Sequence, residues 1–461
     1  MRTVMLSQLA LWCEGRLIGE DVAVSNISTD SRKKLDGALF VALRGERFDA
    51  HEFVSQAEEN GAAALLLHHP VKSHLPHILC PDTEEALGEI AAGLAASRRS
   101  VVLALTGSNG KTSVKSLLYS IMCHAGTAYV NPGNYNNEIG LPLAVIEAPE
   151  DVEFAIYEMG AGKPGDIAYL TSIVTPTVAL VNNIAPAHIE RMGSLMGIAE
   201  TKGAIYEALP DDGIAVLNAD EAFSAYFMER IGSRSVLSFG ISNSADVSAE
   251  NIILTADSSS FKLLTPSGSA DIILAFAGRH SVMNALAAAA MALAAGAPLD
   301  AVASGLKNAR PVPGRQDPKM LKNGTVLIDD SYNANPGSVL VAIESLVAAC
   351  RLDGKQSVLV LGDMAELGEN AEAMHAEIGK QAKHRGINQL WTCGKLSRAA
   401  QTAFGDATRH FENRFELSAA LIPAIDGGQR VLVKGSRSSQ MDSVVNALIE
   451  HFKLQETTHA S

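Results

Sequence analysis

The stretch Leu103-Ala-Leu-Thr-Gly107-Ser-Asn-Gly110-Lys111-Thr112-Ser113 decides the architecture of the chain. An unbroken apolar run over residues 101–105 leads into it, the pattern of a strand covered on both faces. The residues after it place Val114, Leu117, Leu118, Ile121 and Met122 on one helical face that ends near Gly126. Strand, glycine turn and helix in that order make a phosphate loop. Its glycines let backbone N–H groups approach phosphate oxygens, and the helix N-terminus adds positive partial charge. Lys111 can neutralise terminal phosphates, and the Thr112 hydroxyl can ligate Mg²⁺. Gly107, Ser108, Asn109, Gly110, Lys111, Thr112 and Ser113 are therefore the first nucleotide-binding candidates. The usual G-x-x-x-x-G-K-[ST] spacing asks for glycine at 105, where this chain has Leu105, so the loop is a shortened variant.

Outward from the loop, strands and helices alternate. Apolar runs at 154–157, 178–181, 214–217 and 272–276 predict strands, and a helix is expected over 281–295. The stiff segment Arg310-Pro-Val-Pro-Gly314 then breaks the pattern. A further series predicts strands at 325–328, 358–361, 389–392 and 430–433, closing on a helix over 441–452. Before the loop, residues 62–67 and 83–97 read as a short strand and a helix, and Arg98-Arg-Ser100 punctuates the chain. The predicted fold is α/β in three domains. A small α/β N-terminal domain takes residues 1–98, a central P-loop ATPase-like parallel-sheet domain 99–312, and a Rossmann-like C-terminal domain 313–461. Parallel sheets with helices on both faces follow from the alternation.

Composition agrees with this and narrows the function. The 461 residues suffice for roughly three domains. Hydrophobic residues make up 47% and charged residues 19%, enough apolar surface for a core in each. The net charge of −14 argues against an extended nucleic-acid or anionic-membrane surface. Aromatics at 5% make base-stacking platforms a poor expectation. Cys13, Cys80, Cys123, Cys350 and Cys393 are dispersed, with no C-x-x-C pair, which fits a reducing cytoplasm. The most apolar window, 282–299, is interrupted by Asn284 and falls short of the ~20 residues that span a bilayer.

In open α/β sheets, ligands gather beyond the carboxyl ends of strands. Glu158 ends one predicted strand, and Asn182, Asn183 and His188 follow another. Glu158 and His188 can complete a Mg²⁺ shell; alternatively Glu158 makes a helix-cap or salt-bridge contact and His188 is a loop residue. Lys202 lies on a predicted helix, where its pattern suits an ordinary exposed lysine. Asp330, after a third strand, can grip a ribose, or serve as a cap or in a structural ion pair. Asn335 and Pro336 suit the start of the next helix. Lys434-Gly-Ser-Arg-Ser438 is either an anion site or a solvated charge cluster.

Taken together, these segments resemble the Mur ligase family of bacterial cell-wall synthesis. The resemblance rests on the shortened loop 106–112, Glu158 in YEMGA, His188 after VNNIAPA, Lys202 in TKGAIYEAL, His280 and Asn284 in GRHSVMNALAA, and Arg315 in PGR. The segments Asp329-Asp-Ser-Tyr-Asn-Ala-Asn-Pro-Gly337, Leu361-Gly-Asp-Met-Ala-Glu-Leu-Gly368 and Asn134-Tyr-Asn-Asn-Glu-Ile-Gly-Leu-Pro142 look like the branch that adds D-alanyl-D-alanine. Residues 29–32 with 40–49 and His51 are similar to the domain that holds the UDP end of the precursor.

The resemblance implies a cytoplasmic, monomeric ligase that uses ATP to join D-alanyl-D-alanine to UDP-N-acetylmuramoyl-tripeptide through an acyl phosphate. It implies Lys111, Lys202 and His188 as catalytic residues. Thr112 and Glu158 would hold one Mg²⁺; His188 and a carbamylated Lys202 would hold a second. Asn284, Arg315 and Asp330 would contact ATP. Substrate contacts would come from Ser31, Arg32, Asn134, Asn136, Asn137, Tyr332, Asn333, Asn335, Lys434, Ser436 and Arg437. The readings that compete are a sister ligase with a different amine, and a nucleotide-gated regulator without ligase chemistry.

Overall fold

A computed structural model describes residues 1–45, 48–186 and 189–455. Besides a two-stranded ladder of Val4–Met5 with Ala23–Val24, three larger sheets follow one another in sequence order. The first has five strands, ordered Arg16–Ile18, His77–Leu79, Ala64–Leu67, Ala38–Val41 and Asn26–Ser28. All its pairings are parallel except that of Arg16–Ile18. The helix Thr83–Ala96 leaves this lobe, capped by Asp82, whose carboxylate accepts from the Glu84 and Glu85 amides.

The central sheet has nine strands. Val101–Thr106 lies inside it, between Phe154–Glu158 and Val178–Val181, both parallel to it. Ala128–Val130 closes one edge. On the other side Ile214–Asn218, Ser235–Gly240 and Val247–Leu254 continue in parallel. The far edge departs from the expected all-parallel pattern. Ser259–Thr265 and Gly268–Leu274 pair antiparallel, so the apolar run expected at 272–276 belongs to a hairpin edge. Short hairpin connections allow this reversal, whereas a parallel return needs a long crossover.

The third sheet has six strands. Five, from Val326–Asp330 to Thr408–Phe411, are parallel, and Asp317–Met320 adds an antiparallel edge. Separate cores fill its two faces, one under Pro336–Asp353 and one under Asp442–Phe452.

The lobes are joined more tightly than the linker-like sequences suggest. One continuous core runs from Leu6, Leu9 and Ile90 to Ala104, Val181 and Tyr206, across the first boundary. Arg98, read as punctuation, instead donates to the Val145 and Ala148 carbonyls and pairs with Glu150. Between the second and third sheets, buried Arg430 donates to Asp257 on one side and to Asp353 on the other. The functional consequence is that the carboxyl ends of the second and third sheets face one cavity.

Candidate active site

The cavity has a volume of about 730 Å³. Ser108–Ser113 line it, with Asn134, Asn136, Asn137 and Glu158 from the central sheet. Asn284, Arg315, Asp330, Tyr332, Asn333, Asn335 and Lys434 line it from later segments. Thus most of the residues expected around a nucleotide and two further substrates come together. Gly107 lies at the base of the loop, outside the lining.

The loop holds its shape through side chains that sequence reading leaves without an assigned contact. Asn182 and Asn183, at the end of Val178–Val181, both donate to the Asn109 carbonyl. The Asn183 carbonyl accepts from the Ser108 amide, and its side-chain oxygen accepts from the Asn109 amide. These amides brace the loop. Gly110 caps the helix Lys111–Ala125 at φ +77°, and a Cβ there would meet the Asn284 and Asn182 side chains at 2.7 and 2.8 Å. Glycine is therefore required for both conformation and space.

The Lys111 ammonium donates to the Gly107 carbonyl at 2.8 Å, folding back over the turn. Burial, with Arg315 nearby, lowers its pKa, while Glu158 opposes the shift. Glu158 is 2% exposed. Burial works against its ionisation, but Lys115, Lys111 and Arg315 outweigh that and hold the carboxyl below its ordinary range. Asn136 donates to its Oε1 at 2.9 Å. Its Oε2 is 3.2 Å from the Lys115 ammonium yet has no hydrogen-bond partner of good geometry among the described residues. An anionic oxygen of this kind, on the cavity wall beside a phosphate loop, suits a hard divalent cation.

Lys115 was not anticipated. It also donates to the Asn131 and Gly133 carbonyls, and Asn131 in turn accepts from the Glu158 amide. The usable signal was spacing: Lys115 is one helical turn after Lys111 and shares its face. Removing one partner of a buried ion pair strands the other charge, at a cost of about 3–5 kcal/mol. Glu158→Gln should therefore lower the midpoint of thermal unfolding as well as activity, while Glu158→Gln with Lys115→Met should recover stability without activity. Calorimetry on the two variants checks this.

Lys202 corrects the exposed-lysine reading. It is 2% exposed, on the helix Leu195–Glu207, and no carboxylate among the described residues forms an ion pair with it. Burial and the Lys111 charge hold its amine well below the lysine range, with Asp166 the opposing influence. His188 falls outside the described residues. His280 lines the cavity; burial pushes it down to about 4, so near neutral pH it is an uncharged hydrogen-bonding ring.

On the C-terminal side, Asp330 is paired with Lys434 at 2.7 Å, both side chains nearly buried. The ion-pair reading of Asp330 holds, and the solvated-loop reading of Lys434 does not. Asn335 caps Pro336–Asp353 through a reciprocal bond with Ser338, and its Nδ2 donates to Asn109 Oδ1 at 2.8 Å. Its amide is thus committed to joining the third sheet's lobe to the loop, rather than free for substrate. Arg315 stacks 4.1 Å over the Tyr332 ring, and Arg437 lies 5.7 Å from it.

Four expected substrate residues lie outside the cavity lining. Ser436 is buried and shares its hydroxyl with Ser438 and Ser439. Arg437 is exposed, near Asp442. Ser31 donates to Gln56, and Arg32 pairs with Asp30, both in the first lobe.

A parallel-sheet phosphate loop facing a buried acid, with a third lobe supplying the opposite wall, defines a nucleotide-using α/β enzyme. Family models agree: "Mur ligase family, catalytic domain" matches residues 23–95, "Mur ligase middle domain" 105–292, and "Mur ligase, glutamate ligase domain" 314–437. The chain belongs to the Mur ligase family. It is 44% identical to the UDP-N-acetylmuramoyl-tripeptide–D-alanyl-D-alanine ligase of Escherichia coli, covering 98% of this chain and 99% of that one. Among solved structures, MurF from Acinetobacter baumannii superposes with a TM-score of 0.92 at 33% identity, covering 98% of this chain and all of that one. MurF from Thermotoga maritima in complex with ADP superposes at 0.83 and 26% identity, covering 93% and 98%.

Proposed function

We propose that this chain is an ATP-dependent ligase that joins D-alanyl-D-alanine to UDP-N-acetylmuramoyl-tripeptide, making the UDP-muramoyl-pentapeptide of peptidoglycan. The observation that carries the reading is the single cavity in which the phosphate loop, Glu158 and the strand ends of the third sheet meet. Full-length likeness to ligases of that name supports it.

A carboxylate is a poor electrophile. Transfer of the ATP γ-phosphoryl group to the tripeptide's terminal carboxylate oxygen gives an acyl phosphate and ADP. The dipeptide amine then attacks the acyl carbon. The C–N bond forms, the C–O bond to phosphate breaks, and the amine's proton is released. Both steps gather negative charge, and fixed positive groups in a dry cavity stabilise it. Lys111 and the amides of 108–113 serve the phosphates. Asn284, Arg315 and Asp330 serve the nucleotide, the last in concert with Lys434. Asn134, Asn136 and Asn137 face the muramoyl side; Tyr332 and Asn333 face the acyl and dipeptide side.

Thr112 and Glu158 suit one Mg²⁺, since neighbouring cations hold Glu158 ionised and, among the described residues, its Oε2 has no partner beyond the Lys115 ion pair. Lys202, carbamylated, together with His188 would hold a second. When bound, Mg²⁺ supplies charge neutralisation at phosphate oxygens. The division into 1–98, 99–312 and 313–461, a cytoplasmic location and a monomeric state belong to the same reading. Among the described residues, no helix is long and apolar enough to cross a membrane.

The test is product mass after incubation with ATP, Mg²⁺, UDP-muramoyl-tripeptide and D-alanyl-D-alanine. The pentapeptide nucleotide is expected, with phosphate released in equal amount; a chelator should stop both, and added Mg²⁺ should restore them. Phosphate release stimulated by a single amino acid but not by the dipeptide would move the chain to a sister ligase.

A further inference from the structure

A second cluster of metal-ligating side chains lies in the first lobe, apart from the cavity. Asp49, His51, His68 and His69 each offer a ligand atom, and all four atoms lie within 4.8 Å of one another. Two short segments bring them together. Asp49 caps the turn Ala50–Phe53, and the histidine pair leaves the end of Ala64–Leu67. His51 is buried between them. Its Nδ1 donates to Asp49 Oδ1 at 2.6 Å, and its Nε2 accepts the His68 amide at 3.1 Å. The His51 and His69 rings stack with centroids 4.2 Å apart, and His68 stands edge-on to both. Asp49 Oδ2 lies 3.8 Å from His69 Nε2.

Three imidazoles gathered on one carboxylate are a costly arrangement if they are charged. His51, donating through Nδ1 to Asp49 and accepting at Nε2 from the His68 amide, is a neutral ring with a lone pair on Nε2. A carboxylate that fixes a histidine through Nδ1–H is also the support that metal-bound histidines use. The donor chemistry is three imidazole nitrogens, one of them backed by a carboxylate, which favours zinc-class ions over Mg²⁺. A tetrahedral site with bonds of about 2.1 Å has edges of about 3.4 Å, so separations of up to 4.8 Å need to close by as much as about 1.4 Å. His69 is exposed and leaves a way in. None of the four residues lines the ATP cavity.

We propose that Asp49, His51, His68 and His69 form a separate divalent-metal site of the zinc class. His51 turns its Nε2 from the His68 amide to the ion and joins His68 and His69 as ligands, Asp49 keeps the Nδ1 proton and holds the ring from behind, and water takes the fourth position. The ion would pin the 49–53 turn to the end of the Ala64–Leu67 strand.

The test titrates Zn²⁺ into the full chain with Mg²⁺ and ADP in excess, so that the nucleotide site is already filled. One tight zinc site is expected by calorimetry, and Co²⁺ in its place should give the visible absorption of tetrahedral coordination. His69→Gln, at an exposed position that does not endanger folding, should weaken zinc binding by about tenfold or more. His68→Ser with His69→Ser should abolish it, and Thr112→Ala should leave it unchanged. Absence of tight zinc uptake by the unaltered chain, or uptake that the His68 and His69 variants do not weaken, would overturn the proposal.

Discussion

Replacing Lys111 with Ala should cut the rate of pentapeptide formation by on the order of 10³-fold while leaving the fold intact, because one preorganised cationic donor at developing charge is worth about that much. The two halves of this expectation have separate physical grounds. Among the described residues the ammonium donates to the Gly107 carbonyl alone, and burial disfavours its charge. Losing it removes one hydrogen bond and also a desolvated cation, so the net effect on stability is small. In catalysis nothing nearby replaces it. Lys115 is held by Glu158 and two carbonyls, and Arg315 is stacked on Tyr332. The check is single-turnover phosphoryl transfer alongside a thermal melt. A variant that retains the full rate would remove Lys111 from the reaction; one that loses rate only by unfolding would make it structural.

The residues that sequence made legible are those whose role is set locally. The phosphate loop is a consecutive strand, turn and helix, so its pattern survives without tertiary information. Glu158 and Asp330 were found because they end apolar runs that form interior parallel strands. What was missed depends on partners distant in sequence. Asn182 and Asn183 were visible as polar strand ends, yet their task of bracing Asn109 exists only because Val178–Val181 lies next to Val101–Thr106. Ser436 has the residue type of a substrate contact, but its neighbours Asp363 and Ser439 turn it into the packing beneath the site. The antiparallel edge of the central sheet was illegible for a similar reason. Its strand Val247–Leu254 carries a register break between Glu250 and Ile253, with Asn251 at φ +53°, which spoils any clean alternation.

Lys202 offers the sharper experiment. As an ammonium it is poorly placed: it is buried, repelled by Lys111, and has no ion-pair partner among the described residues. Those same facts favour an uncharged amine, and an uncharged amine can add CO₂. Its nitrogen bonds to the carbon, a proton leaves, and a carbamate anion results. The sign of the charge reverses, so the Lys111 field that disfavoured the cation now favours the side chain. A lysine whose pKa in the folded state lies below its unfolded value is increasingly uncharged as pH rises through the folded pKa, so carbamylation should gain with pH and with added bicarbonate. Lys202→Ala is therefore expected to lose about as much activity as Lys111→Ala, and formate or acetate should restore part of it by standing in for the carbamate. Acetate should do nothing for Lys111→Ala. Intact-protein mass taken without acid quenching should show the addition of one CO₂ in the unaltered chain and not in Lys202→Ala. Full activity in that variant, or loss with neither carboxylate rescue nor bicarbonate dependence, would leave Lys202 as a buried amine without a part in the reaction.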